Sequence, residues 1–117
     1  MPDIRFPVTL TGDVPVVSAP EEIDATNAEG MRTAMLNAGQ LHRVMVIDMS
    51  QTRFCDSAGL HALLSARKRA SDQDGKLVLV LSGAAVLRLL ALTGADRLIP
   101  NFATLDEALA YAADVTV

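Results

Sequence analysis

Asp56 and Ser57 stand side by side in the segment Thr52-Arg53-Phe54-Cys55-Asp56-Ser57-Ala58-Gly59-Leu60, where a short polar turn runs directly into a helix start of small residues. A serine in the first helical turn lies beside backbone N–H groups that have no intrahelical partner. Its hydroxyl is held near the surface, and a phosphate added to it is favourably solvated by those donors. The pair therefore suits covalent modification and recognition. Ala58 and Gly59 leave the approach open to another protein, with Leu60 and His61 following on the same helix. The plain alternative is that Asp56 or Ser57 only caps the helix, as Asp and Ser commonly do.

The other reactive residue types form no catalytic constellation. Cys55, beside Phe54 at a strand end, reads as a small buried hydrophobe rather than a reactive thiol. A single cysteine makes no internal disulfide, and without companion cysteines or closely spaced histidines it makes no ordinary structural zinc site. His42 and His61 are far apart in the sequence and lack Cys or Glu at ligand spacing, so they read as surface or partner-contact residues. Asp24, Asp48 and Asp56 could be combined into a magnesium site or an acid pair, yet each falls at an element end, where an acid caps a helix or closes a strand. There is no Gly-rich phosphate loop, no Ser-His-Asp order and no activated nucleophile. Neither an enzyme nor a bound cofactor or metal is expected.

The elements that must position Ser57 are legible as an alternation of short apolar runs with helical periodicities, which predicts an α/β layer structure. Val44-Met45-Val46-Ile47 and Leu77-Val78-Leu79-Val80-Leu81 are apolar at every position, as central strands covered on both faces are. Phe6 to Leu10 and Val14 to Val17 predict two strands joined through Thr11-Gly12-Asp13, and Pro7 and Pro15 push both towards a sheet edge. A last strand is predicted at Leu98-Ile99, ended by Pro100 and Asn101. Four helices fill the gaps. The first runs from about Ala25 to Ala38, with Gly39 closing it. The second starts near Ser57 with Leu60, Leu63 and Leu64 inward, and turns at Asp72 to Gly75. The third uses Val86, Leu89 and Leu90 and stops at Gly94; the fourth opens at Thr104-Leu105-Asp106-Glu107, which has the spacing of a capping box. Met31, Met35, Met45 and Met49 read as core filling.

At 117 residues, half of them apolar, the chain suits one domain with a continuous core from about Phe6 to Ala112. Its longest apolar runs fall far short of the ~20 residues that span a bilayer, and Met1-Pro2-Asp3-Ile4-Arg5 lacks the pattern of an export signal. A cytoplasmic location and no membrane contact are expected. Ten basic against fourteen acidic residues give a net charge of -4, which opposes direct nucleic-acid binding. The one basic cluster, Arg67-Lys68-Arg69, falls at a helix end, where cations favour the negative end of the helix dipole.

Val46-Ile47-Asp48-Met49-Ser50 followed by Phe54-Cys55-Asp56-Ser57-Ala58-Gly59-Leu60 resembles the central signature of the STAS-domain anti-sigma factor antagonists. Glu22-Ile23-Asp24 resembles that family's segment before its first helix, and Leu92-Thr93-Gly94-Ala95-Asp96-Arg97-Leu98 resembles its stretch before the last strand. The correspondences run in the family's order from Val14 to Ala112, and the family's fold, a mixed sheet of about five strands with about four helices, agrees with the elements above. The resemblance implies partner switching. The unphosphorylated protein binds an anti-sigma factor that is also a serine kinase and frees a sigma factor; phosphorylation at the position of Ser57 ends that binding, and a serine phosphatase restores it. It further implies a partner-binding set of Asp24, Asp56, Ser57, Ala58, Gly59, Leu60 and His61. Two departures stand out: Glu21 occupies a position where the family often has glycine, adding a negative side chain to the turn facing the site, and Ala58 replaces a second hydroxyl, leaving Ser57 as the only one in the motif. An alternative within the family is a module that senses a small ligand or nucleotide, marked by a pocket away from Ser57. A serine hydrolase would need turnover without a partner.

Overall fold

The computed structural model describes residues 5–115; the reading of Met1 to Ile4 lies outside them. The element order is β1 (Val8–Thr11), β2 (Val14–Ser18), β3 (Glu22–Ile23), α1 (Ala28–Leu41), β4 (Val44–Met49), β5 (Phe54–Cys55), α2 (Ser57–Asp72), β6 (Lys76–Leu81), α3 (Ala84–Thr93), α4 (Ala95–Leu98), β7 (Asn101–Phe102) and α5 (Leu105–Val115). Five strands form one mixed sheet in the order β1-β2-β4-β6-β7, with β1–β2 antiparallel and the other pairs parallel. From β2 onwards each crossover advances one strand along the sheet. Crossovers of one hand put their helices on one face, and α1, α2 and α3 pack there.

Side-chain size sorts the two faces. Met45, Ile47, Met49, Leu77, Leu79 and Leu81 point towards the helical layer, where Met31, Met35, Leu63 and Leu90 complete a thick core. Val44, Val46, Val78 and Val80 point the other way, against Ala108 and Ala112 of α5. Alternation along each strand thus sets long side chains against three helices and short ones against a single alanine-striped helix that approaches closely. This is why the central strands are apolar at nearly every position. Thr104 begins α5 by accepting from the Glu107 N–H at 3.2 Å, while the Glu107 carboxylate meets the Thr104 hydroxyl at 3.0 Å.

The structure corrects four expectations. Pro15 is not at an edge, since β2 lies between β1 and β4. Parallel pairing to β4 begins one residue later, at Val16↔Val46, and the Pro15↔Leu10 position follows the closing pair of a two-residue hairpin, so the absent N–H would face away from β1. Gly39 does not end α1. The helix continues to Leu41, and a Cβ at Gly39 would lie 3.0 Å from Met45 Cε, so this glycine serves helix–sheet packing. Leu98-Ile99 is not a strand: Leu98 ends the short α4, Ile99 is buried as its cap, and Pro100 precedes β7, its carbonyl accepting from Leu79 N–H at 2.9 Å. Finally α1 begins at Ala28 rather than Ala25, because the intervening residues form a turn whose N–H groups bond back to Asp24.

Candidate functional site

Ser57 is the first residue of α2 and is exposed. Asp56 is the N-cap, in extended conformation, and its Oδ1 accepts from the N–H groups of Ala58 at 2.9 Å and Gly59 at 3.2 Å. This leaves the Ser57 N–H, beside the exposed hydroxyl, outside the Asp56 cap. Ahead of the helix, β5 pairs in parallel with β3 through Glu22↔Phe54 and Ile23↔Cys55, and Asp56 N–H donates to the Ile23 carbonyl at 3.1 Å. The residues that leave this two-residue ladder on the two strands are Asp24 and Asp56. A short ladder therefore brings the first-helix acid beside the second-helix start.

Both loops are locked by side chains that carry no motif signal. Thr52 is fully buried and its hydroxyl donates to the Pro20 carbonyl at 2.8 Å, across 32 residues of sequence. Asn27, 8 % exposed, donates through Nδ2 to the Glu22 carbonyl at 2.9 Å and accepts from Asp24 N–H at 3.0 Å. These are the two buried polar residues among those described, and both are satisfied, as buried polar groups must be. Glu21 is partnered too. Its carboxylate meets Arg53 at 2.8 Å in an exposed ion pair, and its carbonyl accepts from the Arg53 and Phe54 N–H groups, so the extra charge at this turn has a counter-ion.

The titrating groups are split in character. The Asp24 carboxyl accepts from the Thr26 hydroxyl at 2.5 Å and the Thr26 N–H at 2.9 Å. Those bonds hold its pKa below the ordinary 3.8 against the opposing effect of burial, with lesser help from the positive charge of Arg5 and the Asn27 backbone. A carboxyl whose pKa is lower folded than unfolded contributes stability that is present above the unfolded value and lost as pH falls through the folded one. Asp24→Asn should therefore melt below the parent at neutral pH, with the gap narrowing once pH drops past 3.8; a gap that stays constant down to the acid transition would show that the charge is not what matters. Cys55 behaves oppositely. Burial first, and then the charge of Asp56, push its thiol up to about 11, so it is protonated at neutral pH and inert as a nucleophile. Among the described residues no three of His, Cys, Asp and Glu gather as a metal site.

The STAS domain family model matches residues 5–108. The chain belongs to the STAS family of anti-sigma factor antagonists. An anti-sigma factor antagonist from Mycobacterium paratuberculosis is 32% identical, with 93% of each chain covered and a TM-score of 0.85. A Thermotoga maritima protein that carries the same name is 27% identical over 108 residues, 89% of this chain and 94% of its own. The Bacillus protein SpoIIAA shares the fold in its unphosphorylated form (20% identical, 93% of this chain and 96% of its own, TM-score 0.79) and in its phosphorylated form (18%, 91% and 97%, TM-score 0.71).

Within this STAS domain the residues singled out by sequence divide into two groups. Ser57 and His61, one helical turn apart, are exposed on one side of α2, and Ala58, Leu60, Asp24 and Asp56 are half-buried around them. Gly59 is buried instead. A Cβ there would lie 2.6 Å from Cys55 Sγ and 2.7 Å from Ile23 Cγ2, so Gly59 lets the helix start seat on β3 and β5 and has no open side to offer a partner. Phe54, which sequence reasoning passed over, is 48% exposed, three residues ahead of Ser57 in the chain. Its signal was faint, an aromatic in a run too short to show which face it uses. Of the basic cluster, Lys68 pairs with Asp72 at 3.3 Å and Arg69 lies in the last turn of α2. No helix among the described residues is long and apolar enough to cross a membrane.

Proposed function

We propose that this protein is a phosphorylation-controlled antagonist: unmodified, it binds an anti-sigma factor that is also a serine kinase and frees a sigma factor. Phosphorylation of Ser57 ends the binding and a serine phosphatase restores it. The observation that carries this reading is Ser57 itself, a hydroxyl exposed at the first turn of a long helix whose cap is already supplied by the neighbouring Asp56. A serine relieved of capping is available for another role. Next to it Ala58 and His61, with the exposed Phe54 three residues ahead in the chain, offer mixed apolar and polar surface that a partner can cover, while Leu60 packs in part against the core. Asp24 and Asp56 add negative charge at the border of that surface, and because the sequence holds no Gly-rich phosphate loop this reading assigns the kinase and ATP chemistry to the partner. The existence of SpoIIAA in both phosphorylated and unphosphorylated forms of this fold supports the same reading. The test is phosphate incorporation by the cognate anti-sigma kinase with the site mapped by mass spectrometry: one phosphate at Ser57 is expected, and full incorporation into Ser57→Ala would overturn the assignment.

The modification should act at the surface and leave the fold intact. Helix N-termini favour added negative charge by ~0.3 to 1 kcal/mol, while the nearby Asp56 carboxylate repels it, so the two contributions oppose each other. Circular dichroism of the phosphoprotein should match the parent and its melting temperature should move by only a few degrees. Loss of helical signal on phosphorylation would mean that the switch works by unfolding α2 instead.

A further inference from the structure

We propose that the cleft between α1 and the C-terminal half of α2 is a binding site for a small monocarboxylate with an apolar body, separate from Ser57 and additional to the partner-switching role. The cleft has a volume of about 320 Å³, at the lower end of the range for small-molecule sites. Its floor is apolar, with the buried Met35 and Met45 at the bottom and Ala66 on one wall. Its polar groups are Arg32 from α1, Ser65 and Arg69 from α2, His42 just past α1 and Gln73 just past α2, with no acidic residue in the lining. The lining is therefore locally cationic in a chain of net charge -4. Arg53 pairs with Glu21 and Lys68 with Asp72, whereas Arg32 and Arg69, like Arg43, Lys76, Arg88 and Arg97, have no carboxylate partner among the described residues, so both guanidinium groups of the cleft are available to an anion. The two helix ends bring roughly half a negative charge each, which two full guanidinium charges outweigh.

The shape and the charge together select the ligand. A guanidinium matches the two oxygens of a carboxylate, and a pair of them on facing helices can hold one head group. At the ~30 Å³ that one water-sized group occupies, the cleft takes roughly ten non-hydrogen atoms. A phosphate would use half of that room and leave the methionine floor uncovered, so a carboxylate on a chain or ring is the better fit. Arg69 is about 18 Å along the α2 axis from Ser57 at 1.5 Å per residue, too far for the ligand to be the group that meets the serine.

The probe is octanoate, titrated into the full chain while the methionine ε-methyl resonances are followed by NMR, with 1-octanol as its uncharged counterpart. Octanoate should shift Met35 and Met45 and leave Met31 and Met49, which are buried outside the cleft, in place as internal references of the fold. It should bind at least ~10-fold more tightly than 1-octanol, and the double variant Arg32→Gln/Arg69→Gln should lose at least ~10-fold in octanoate affinity with the Met31 and Met49 signals unchanged, as expected when charge-assisted bonds are removed. Equal binding of the alcohol, undiminished binding to the double variant, shifts in all four methionines alike, or no shift at Met35 and Met45 would each overturn the proposal.

Discussion

Phosphorylation of Ser57 should weaken binding to the anti-sigma kinase at least ~10-fold, about 1.4 kcal/mol, while Ser57→Ala keeps nearly full affinity. The asymmetry follows from where the charge is added. A phosphate brings roughly -1.5 to -2 charge units to a surface already bordered by the Asp56 and Asp24 carboxylates, and closing a partner over it removes the water that would screen the repulsion. Alanine removes only an exposed hydroxyl that caps nothing, since Asp56 holds the Ala58 and Gly59 N–H groups. Calorimetric titration of unmodified, phosphorylated and Ser57→Ala protein against the isolated kinase measures the difference. Equal affinities of the phosphorylated and unmodified forms would remove Ser57 from the centre of the mechanism, whatever the phosphate mapping had found. Asp24→Asn belongs in the same series. Because the Asp24 carboxyl also orders the turn into α1 through Thr26, it should reduce phosphorylation or kinase binding by more than its effect on melting predicts. Losses in proportion would assign Asp24 to the turn alone.

What could be read from the sequence is what local pattern determines. β4 and β6 are apolar at nearly every position because both of their faces are covered, and α2, α3 and α5 begin or end at residues whose capping is local: Asp56, Gly94 in the left-handed region and Thr104. The motif around Ser57 was legible for the same reason. What escaped is set by contacts between distant segments. β3 and β5 are two residues each, too short for any period to show, and exist because Ile23 and Cys55 pair. Ile99 looked like a strand residue since burial in a cap and burial in a sheet select the same side chain. Thr52 gives no local sign that its hydroxyl closes a bond 32 residues away, and Pro15 sits inside the sheet because the neighbouring strand's pairing starts one residue after it. A glycine is the least legible of all, for its missing side chain does not say whether the space serves a partner or the protein's own core.

Gly59 decides that question by experiment, and Gly59→Ala should lower stability by about 1–2 kcal/mol although alanine is the better helix former. A methyl group placed 2.6 Å from Cys55 Sγ and 2.7 Å from Ile23 Cγ2 is overpacking, which costs ~1–3 kcal/mol in a well-filled core. The helix preference for alanine over glycine, up to ~1 kcal/mol in a helix interior, recovers part of this. Ile23 cannot swing aside easily, being β-branched, fully buried and tied through its carbonyl to Asp56 N–H. The melting temperature should fall by roughly 4–8 °C, with Ser57→Ala, two residues earlier on the exposed side of the same turn, close to the parent. Cys55→Ala removes one of the two obstructing atoms, so in the double variant the penalty of Gly59→Ala should shrink by more than simple addition of the single effects allows. Because the displaced segment begins α2, kinase phosphorylation of Ser57 should slow along with the loss of stability. A Gly59→Ala protein that melts with the parent but no longer binds the kinase would mean that position 59 faces the partner after all, and that the helix start does not seat on β3 and β5 through this contact.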